Sequence, residues 1–102
     1  MRLQILDLAK NDLIEGYHFY ESKEGGLGDY FLVNLYSDIE SLKLFGGIHR
    51  KVYCGFHRAL SKRFPFAIYY TVEENIIRIK AVVDCRRNPS WIRKHVRKAG
   101  EP

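Results

Sequence analysis

Lys62–Asp84 reads KRFPFAIYYTVEENIIRIKAVVD, and its alternation decides the architecture. Phe66, Ile68, Tyr70 and Val72 alternate with Ala67, Tyr69 and Thr71, while Ile77, Ile79, Ala81 and Val83 alternate with Arg78, Lys80 and Val82. Period-two patterning in β-branched and aromatic residues predicts two strands, each with one buried face. The short polar link Glu73–Asn75 predicts that they form an antiparallel hairpin. With Glu74-Asn75 at the tip, Thr71 faces Arg78, Tyr69 faces Lys80 and Ala67 faces Val82. Ile68, Tyr70, Ile77, Ile79 and Ala81 then share the other face. A slip of one residue would break both apolar faces at once. The apolar face needs a cover, and the face bearing Tyr69, Arg78 and Lys80 is left open, aromatic and basic.

Working outward, Ile48–Ser61 reads as further extended structure. Val52, Cys54 and Phe56, then Arg58 and Leu60, predict one or two strands with Gly55 at a bulge or bend. On the other flank, Asn88-Pro89-Ser90 is a turn, with Pro89 suited to the first turn of a short helix carrying Trp91. Trp91 either closes the end of the core or stands exposed as an anchor for a partner.

Two amphipathic helices precede these strands. Asp7 is placed to cap the first, Leu8–Ser22, which sets Leu13, Tyr17 and Tyr20 on one face with Ile14 beside them and His18 outside the stripe. Gly25-Gly26-Leu27-Gly28 suits a tight helix-to-helix turn; a phosphate-cradling loop would need a preceding strand. A second helix spans about 29–44, with Phe31, Leu35, Ile39 and Leu42 in register and Gly46-Gly47 at its end. Arg2–Leu6 alternates as a short first strand. The order strand, helix, helix, antiparallel meander predicts an α+β fold with both helices on one sheet face. Ile68, Tyr70, Ile77, Ile79 and Val83 are expected to pack on Leu13, Tyr17, Phe31, Leu35 and Ile39.

At 102 residues the chain has material for one domain, residues 1–102, with a core over about 2–93 and a basic tail at 94–102. An apolar share of 46% is ordinary for a globular protein and argues against wholesale disorder. No apolar run is long enough to span a bilayer, and polar Gln4 and Asp7 stand where a signal peptide would be apolar, so a cytoplasmic protein with no membrane partner is expected. The formal charge of +5 sits late: Arg78, Lys80, Arg86, Arg87, Arg93, Lys94, Arg97 and Lys98 meet only Asp84 in that interval. Such asymmetry fits an acidic partner, nucleic acid or protein, as well as a solvated tail.

Cys54 and Cys85 are too few for a disulfide framework and read as small, half-buried residues in a reducing compartment. Cys54 and His57 have metal-ligand spacing, but Cys85 and His95 do not complete a usual zinc motif. No metal and no cofactor are expected.

Taken together, Asp12-Leu13-Ile14 with Tyr17 and Tyr20, the turn Gly26-Leu27-Gly28-x-x-Phe31, Arg58-x-x-x-x-Arg63-Phe64-Pro65-Phe66-x-Ile68-x-Tyr70, and Ala81-Val82-x-x-x-Arg86-Arg87-x-Pro89-x-Trp91 resemble the RelE/ParE superfamily of bacterial toxins over about residues 3–93. The resemblance implies a toxin of a type II toxin–antitoxin module, held in a hetero-oligomer by a co-expressed, acidic, partly disordered antitoxin. The superfamily holds two activities. Ribosome-dependent mRNA interferases use basic side chains on the open sheet face and a C-terminal tyrosine to promote attack of a ribose 2′-OH on the adjacent phosphodiester. ParE-type members inhibit DNA gyrase and trap cleaved DNA.

In this chain Ala67 aligns with the expected central-strand arginine, and Trp91, which is neither acid nor base, lies near the tyrosine position. An interferase built here would have to rely on His57, Arg58, Lys62, Arg63 and Arg86, with His57 the proton carrier. The Arg-Phe-Pro-Phe segment and the Arg-Arg-Asn-Pro-Ser-Trp ending resemble the ParE branch more closely. That branch would engage its target or antitoxin through Arg58, Arg63, Tyr69, Arg78, Lys80, Arg86, Arg87 and Trp91. A bare nucleic-acid-binding domain is the third reading, resting on charge. Structurally, Arg58 and Arg63 could instead pair with Asp12 or Glu15, and Arg86-Arg87 could end a strand in solvent.

Overall fold

The computed structural model describes residues 1–100 and has the expected α+β architecture. Its elements are β1 (Arg2–Ile5), α1 (Asp7–Lys23), α2 (Leu27–Phe45), a one-turn 3-10 segment (Tyr53–Gly55), β2 (His57–Leu60), β3 (Phe66–Glu73), β4 (Ile76–Asp84) and α3 (Pro89–Ala99). The sheet order is β1-β4-β3-β2, with β1 parallel to β4 and the other pairs antiparallel.

The β3–β4 turn is at Glu74-Asn75, whose φ of 51° and 64° give the doubly left-handed turn that matches strand twist. From there Thr71 pairs with Arg78 and Tyr70 with Ile79 as the alternation requires, but Tyr69 then pairs with Ala81 and Ala67 with Val83. Lys80 is therefore an extra residue, a β-bulge, and beyond it every β4 side chain changes sides. Val82 packs on the helix side and Ala81 and Val83 on the other, reversing the expected placement of all three.

On the helix side, Leu13, Phe31, Leu35, Ile39, Leu42, Ile68, Tyr70, Ile77 and Ile79 form the main core, as the two periodicities demand. Tyr17, expected in this core, instead lies half-buried against Gly28, and Ile14 lies outside it, 52% exposed. Asp7 occupies the first turn of α1 and supports the helix dipole there, because Leu6 takes the cap position without a side-chain bond. Gly16 is where α1 and α2 touch: a Cβ on it would sit 2.5 Å from the Phe31 ring. Gly26, at φ 90°, supplies the left-handed step between the helices.

Val52–Phe56 is not a strand. Cys54 and Gly55 both have positive φ (60° and 74°), so the chain turns there, and only Lys51 bridges to His57 before β2 begins. Both cysteines are exposed, contrary to their expected half-burial.

The larger departure is at the C-terminus. α3 continues to Ala99 in the segment expected as a basic tail, whose residues 101–102 lie outside the described ones, and lays Ile92, Val96 and Ala99 over the sheet face that carries Ala67, Tyr69, Ala81 and Val83, with Phe56 at the margin. That face is closed where Tyr69 lies, and Tyr69 is 2% exposed. Arg78 and Lys80, farther along the same face, remain half-buried.

Candidate functional site

Some of the groups assigned to binding or chemistry from the sequence gather at the start of α3. Beneath the start of α3, a cavity of about 140 Å³ is lined by Tyr53, Arg58, Tyr69, Cys85, Arg87 and Ile92, among others. Tyr53 stacks on Tyr69 with ring centroids 6.3 Å apart. Burial pushes the Tyr69 phenol above its ordinary pKa, while the Arg58 guanidinium beside it pulls the other way. Desolvation of its sulfur in the cavity wall raises the Cys85 thiol although the residue as a whole is exposed, with Arg58 pulling the other way.

Arg86 and Arg87 leave the end of β4 in different directions. Arg86 grips Asp84 through Nε (3.0 Å to Oδ1) and Nη2 (2.8 Å to Oδ2), and its Nη2 lies 3.4 Å from the Tyr20 hydroxyl on α1. These bonds hold the Asp84 carboxyl below the usual range against the opposing effect of burial, and raise the Arg86 pKa further. Arg87 lies 4.0 Å above the Trp91 ring, and Trp91 stacks on His95 with centroids 4.6 Å apart and planes 11° from parallel. Trp91 is thus neither core nor bare anchor, but the middle of a cation–indole–imidazole stack, 36% exposed.

The stack ends on a buried acid. His95 Nε2 donates to Asp12 Oδ1 at 2.8 Å, and Asp12 Oδ2 accepts the Val82 backbone N–H at 2.9 Å. A carboxylate only accepts, so the imidazole carries its proton on Nε2. Asp12, 7% exposed, therefore ties α1, β4 and α3 together, in place of the expected pairing with Arg58 or Arg63.

The remaining residues are dispersed. His57 pairs with Tyr70 and Arg58 with Tyr69 across β2 and β3, which puts the two neighbours on opposite faces of the sheet. His57 Nδ1 donates to the His49 carbonyl at 2.6 Å, and its ring stacks on Tyr70, 5.0 Å between centroids. Tyr70 accepts the Gly47 N–H at 3.1 Å and bonds His49 through its hydroxyl. Burial, then the charge of His57, lowers the pKa of His49. Lys62 and Arg63 are exposed in the β2–β3 turn, which Asp38 holds through Ser61 Oγ (2.6 Å) and the Lys62 N–H (3.3 Å). Arg78 Nε donates to Gln4 Oε1 at 3.2 Å, and Lys80 sits 5.6 Å from the Phe56 ring.

The structure therefore brings Arg58, Tyr69 and Arg87 to one cavity, and Trp91 to its neighbourhood. It sends His57 to the helix side, Arg86 to Tyr20, and Lys62 and Arg63 to a turn. Sequence reasoning missed Tyr53, and named Cys85 and His95 only as an incomplete metal set and Asp12 only as a partner for Arg58 or Arg63. The spacing of Ile92, Val96 and Ala99 was the signal that a helix, with His95 on its inner side, continues past residue 93. Among the described residues no three His, Cys, Asp or Glu side chains converge to hold a metal ion. No described helix is long and apolar enough to cross a membrane.

No family model matches this chain, and no curated protein matches it in sequence. Among solved structures it resembles a chain from one described as "Chromosomal ParDE TA system from P. aeruginosa", with a TM-score of 0.71 and 21% identity over 82% of this chain and 95% of that one. At that identity the likeness is one of fold, and it agrees with the ParE-like architecture expected from the sequence.

Proposed function

We propose that this chain is the toxin of a type II toxin–antitoxin pair, of the ParE-like kind, acting in the cytoplasm by binding DNA gyrase and neutralised by an acidic, partly disordered antitoxin. The observation that carries the choice of branch is the closure of the sheet face by α3. Phosphodiester cleavage needs cations and a proton carrier converging on one phosphate. Here Tyr69 is buried, Ala67 lines the closed side, and His57 lies across the sheet from Arg58. What is left exposed is suited to binding: Arg58 and Arg87 line the cavity, Trp91 stacks under Arg87, and Arg86 beside Tyr20 and Arg63 in the β2–β3 turn stand exposed away from it.

The fold shared with a chain of a ParDE system supports an antitoxin partner. So do the exposed apolar side chains Ile48 (73%) and Leu60 (64%), which lie together, since apolar groups exposed side by side on a small protein mark an interaction surface. Ile48 and Leu60 border a groove of about 190 Å³ beside β2, the edge strand. An amphipathic helix could fill the groove with its apolar face; the outer edge of β2 is already bonded at His57 and Arg58 by the chain's own Lys51 and Arg50.

Purified protein added to gyrase and plasmid is expected to accumulate cleaved DNA. Cutting of mRNA on translating ribosomes, with gyrase unaffected, would overturn the reading in favour of the interferase. An unchanged melting temperature on mixing with the product of the adjacent reading frame would remove the antitoxin from the account.

A further inference from the structure

The outward side of α3 is a surface that this reading does not use. Val96 is fully buried and Ile92, His95 and Ala99 are half-buried, so these four mark the inner row of the helix. Arg93, Lys94, Arg97 and Lys98 are all exposed. At 3.6 residues per turn they share one arc of roughly 140°, opposite the inner row. The helix contains no acidic residue, and among the described residues none of the four cations forms a salt bridge.

This arc carries charge and nothing else. Its apolar residues point inward, and Trp91, 36% exposed beside the arc, already stacks with Arg87 and His95. A protein helix or strand docking here would find no apolar grip, which is what peptide recognition on a helix surface draws on. A polyanion needs none. Arg93 to Arg97 and Lys94 to Lys98 each advance about 6 Å along the axis, giving two parallel rows of cations on a rigid rod. The rod is held in place by the Asp12–His95 bond and by Val96.

We propose that the outward face of α3 binds the sugar–phosphate backbone of duplex DNA, Arg93, Lys94, Arg97 and Lys98 each neutralising a phosphate without reading a base. The arginines offer forked donors to phosphate oxygens and the lysines point charges, so the contact is independent of sequence. The site requires bare duplex only and owes nothing to gyrase.

The test is fluorescence anisotropy of the whole chain with a labelled duplex of about 20 bp and arbitrary sequence, between about 50 and 200 mM salt and without gyrase. Dissociation constants of about 10⁻⁶ to 10⁻⁴ M are expected, with a log–log salt slope near about −3.6 and so roughly 150-fold weakening across that range. The Lys94→Gln/Lys98→Gln variant should flatten the slope by about 2, and Arg93→Gln/Arg97→Gln should do the same if the lysine pair fails to fold. Lys10→Gln/Lys23→Gln, which removes the same charge from α1, should leave the slope unchanged. Equal flattening by the α1 pair would reduce the effect to net charge and overturn the proposal. Absence of duplex binding would also overturn it, and a positive gyrase cleavage assay would still leave the proposed function standing. Tighter, α3-dependent binding of a poly-glutamate of matched charge would reassign the face to an acidic protein segment.

Discussion

The two faces of the sheet are covered in different ways. On one, α1 and α2 lay down a continuous apolar layer from Leu13 to Leu42, with Phe31, Leu35 and Ile39 wholly buried. On the other, one short helix and a tight loop seal a smaller cluster around Tyr69 and Val83, and a polar bond through Asp12 fastens the lid. The first face is held mainly by burial, with polar bonds through Tyr70 and Asp38 at its margin. The second depends on a few contacts that single substitutions can undo, and it is the face that presents the arginine-lined cavity and the basic helix.

The contrast is testable by depth of packing. Ile39→Ala should cost about 2–5 kcal/mol in urea unfolding, from lost burial plus the cavity left behind. Val96→Ala removes less and sits at the thinner face, so about 2 kcal/mol is expected. Equal losses would mean that α3 is as integral to the fold as α2.

Asp12→Ala should cost about 1–3 kcal/mol, because it leaves the Val82 N–H without its acceptor and His95 without its partner. The sharper measurement is amide hydrogen exchange: α3 should lose protection while α2 keeps it. Unchanged protection in α3 would show that packing, rather than the Asp12–His95 bond, holds the lid.

The smallest effect lies on the helix side. The pKa of His49 is lowered in the folded chain by burial and by His57, from an ordinary 6.5. Below that value the unfolded chain takes up the proton first, so the stabilisation is complete above about 6.5 and is lost as pH falls toward the folded pKa. A series of melting temperatures from neutral pH downward should show this decline in the parent and a flatter one in His49→Gln. Parallel declines would move the titration elsewhere.

Much of the helix-side core was legible in the sequence. Phe31, Leu35, Ile39 and Leu42 recur at helical spacing and all four are buried. Glu74-Asn75 marked the turn, and Thr71 opposite Arg78 followed from it. The pattern became ambiguous at Ala81-Val82-Val83, where three consecutive apolar residues satisfy either parity and cannot reveal a bulge at Lys80. Val52, Cys54 and Phe56 alternate like a strand, yet the left-handed φ of Cys54 and Gly55 turns the chain. The lid was missed because four charges among residues 93–98 outweighed the spacing of Ile92, Val96 and Ala99, and Tyr69 was therefore read as exposed. The cavity followed from that same covering, so Arg58, Tyr69 and Arg87 were each named while their common setting was not.

The pairing of β1 has a consequence for how the chain comes to fold. Leu3 lies beside Ile77 in parallel register, so β1 waits for the last strand before it has a strand neighbour. The α1–α2 hairpin can assemble during synthesis from local contacts, but the sheet closes only after β4 has left the ribosome, a long loop closure that sets the pace. A nascent chain stopped before Ile76 would retain its helices and leave β1 with nowhere to dock.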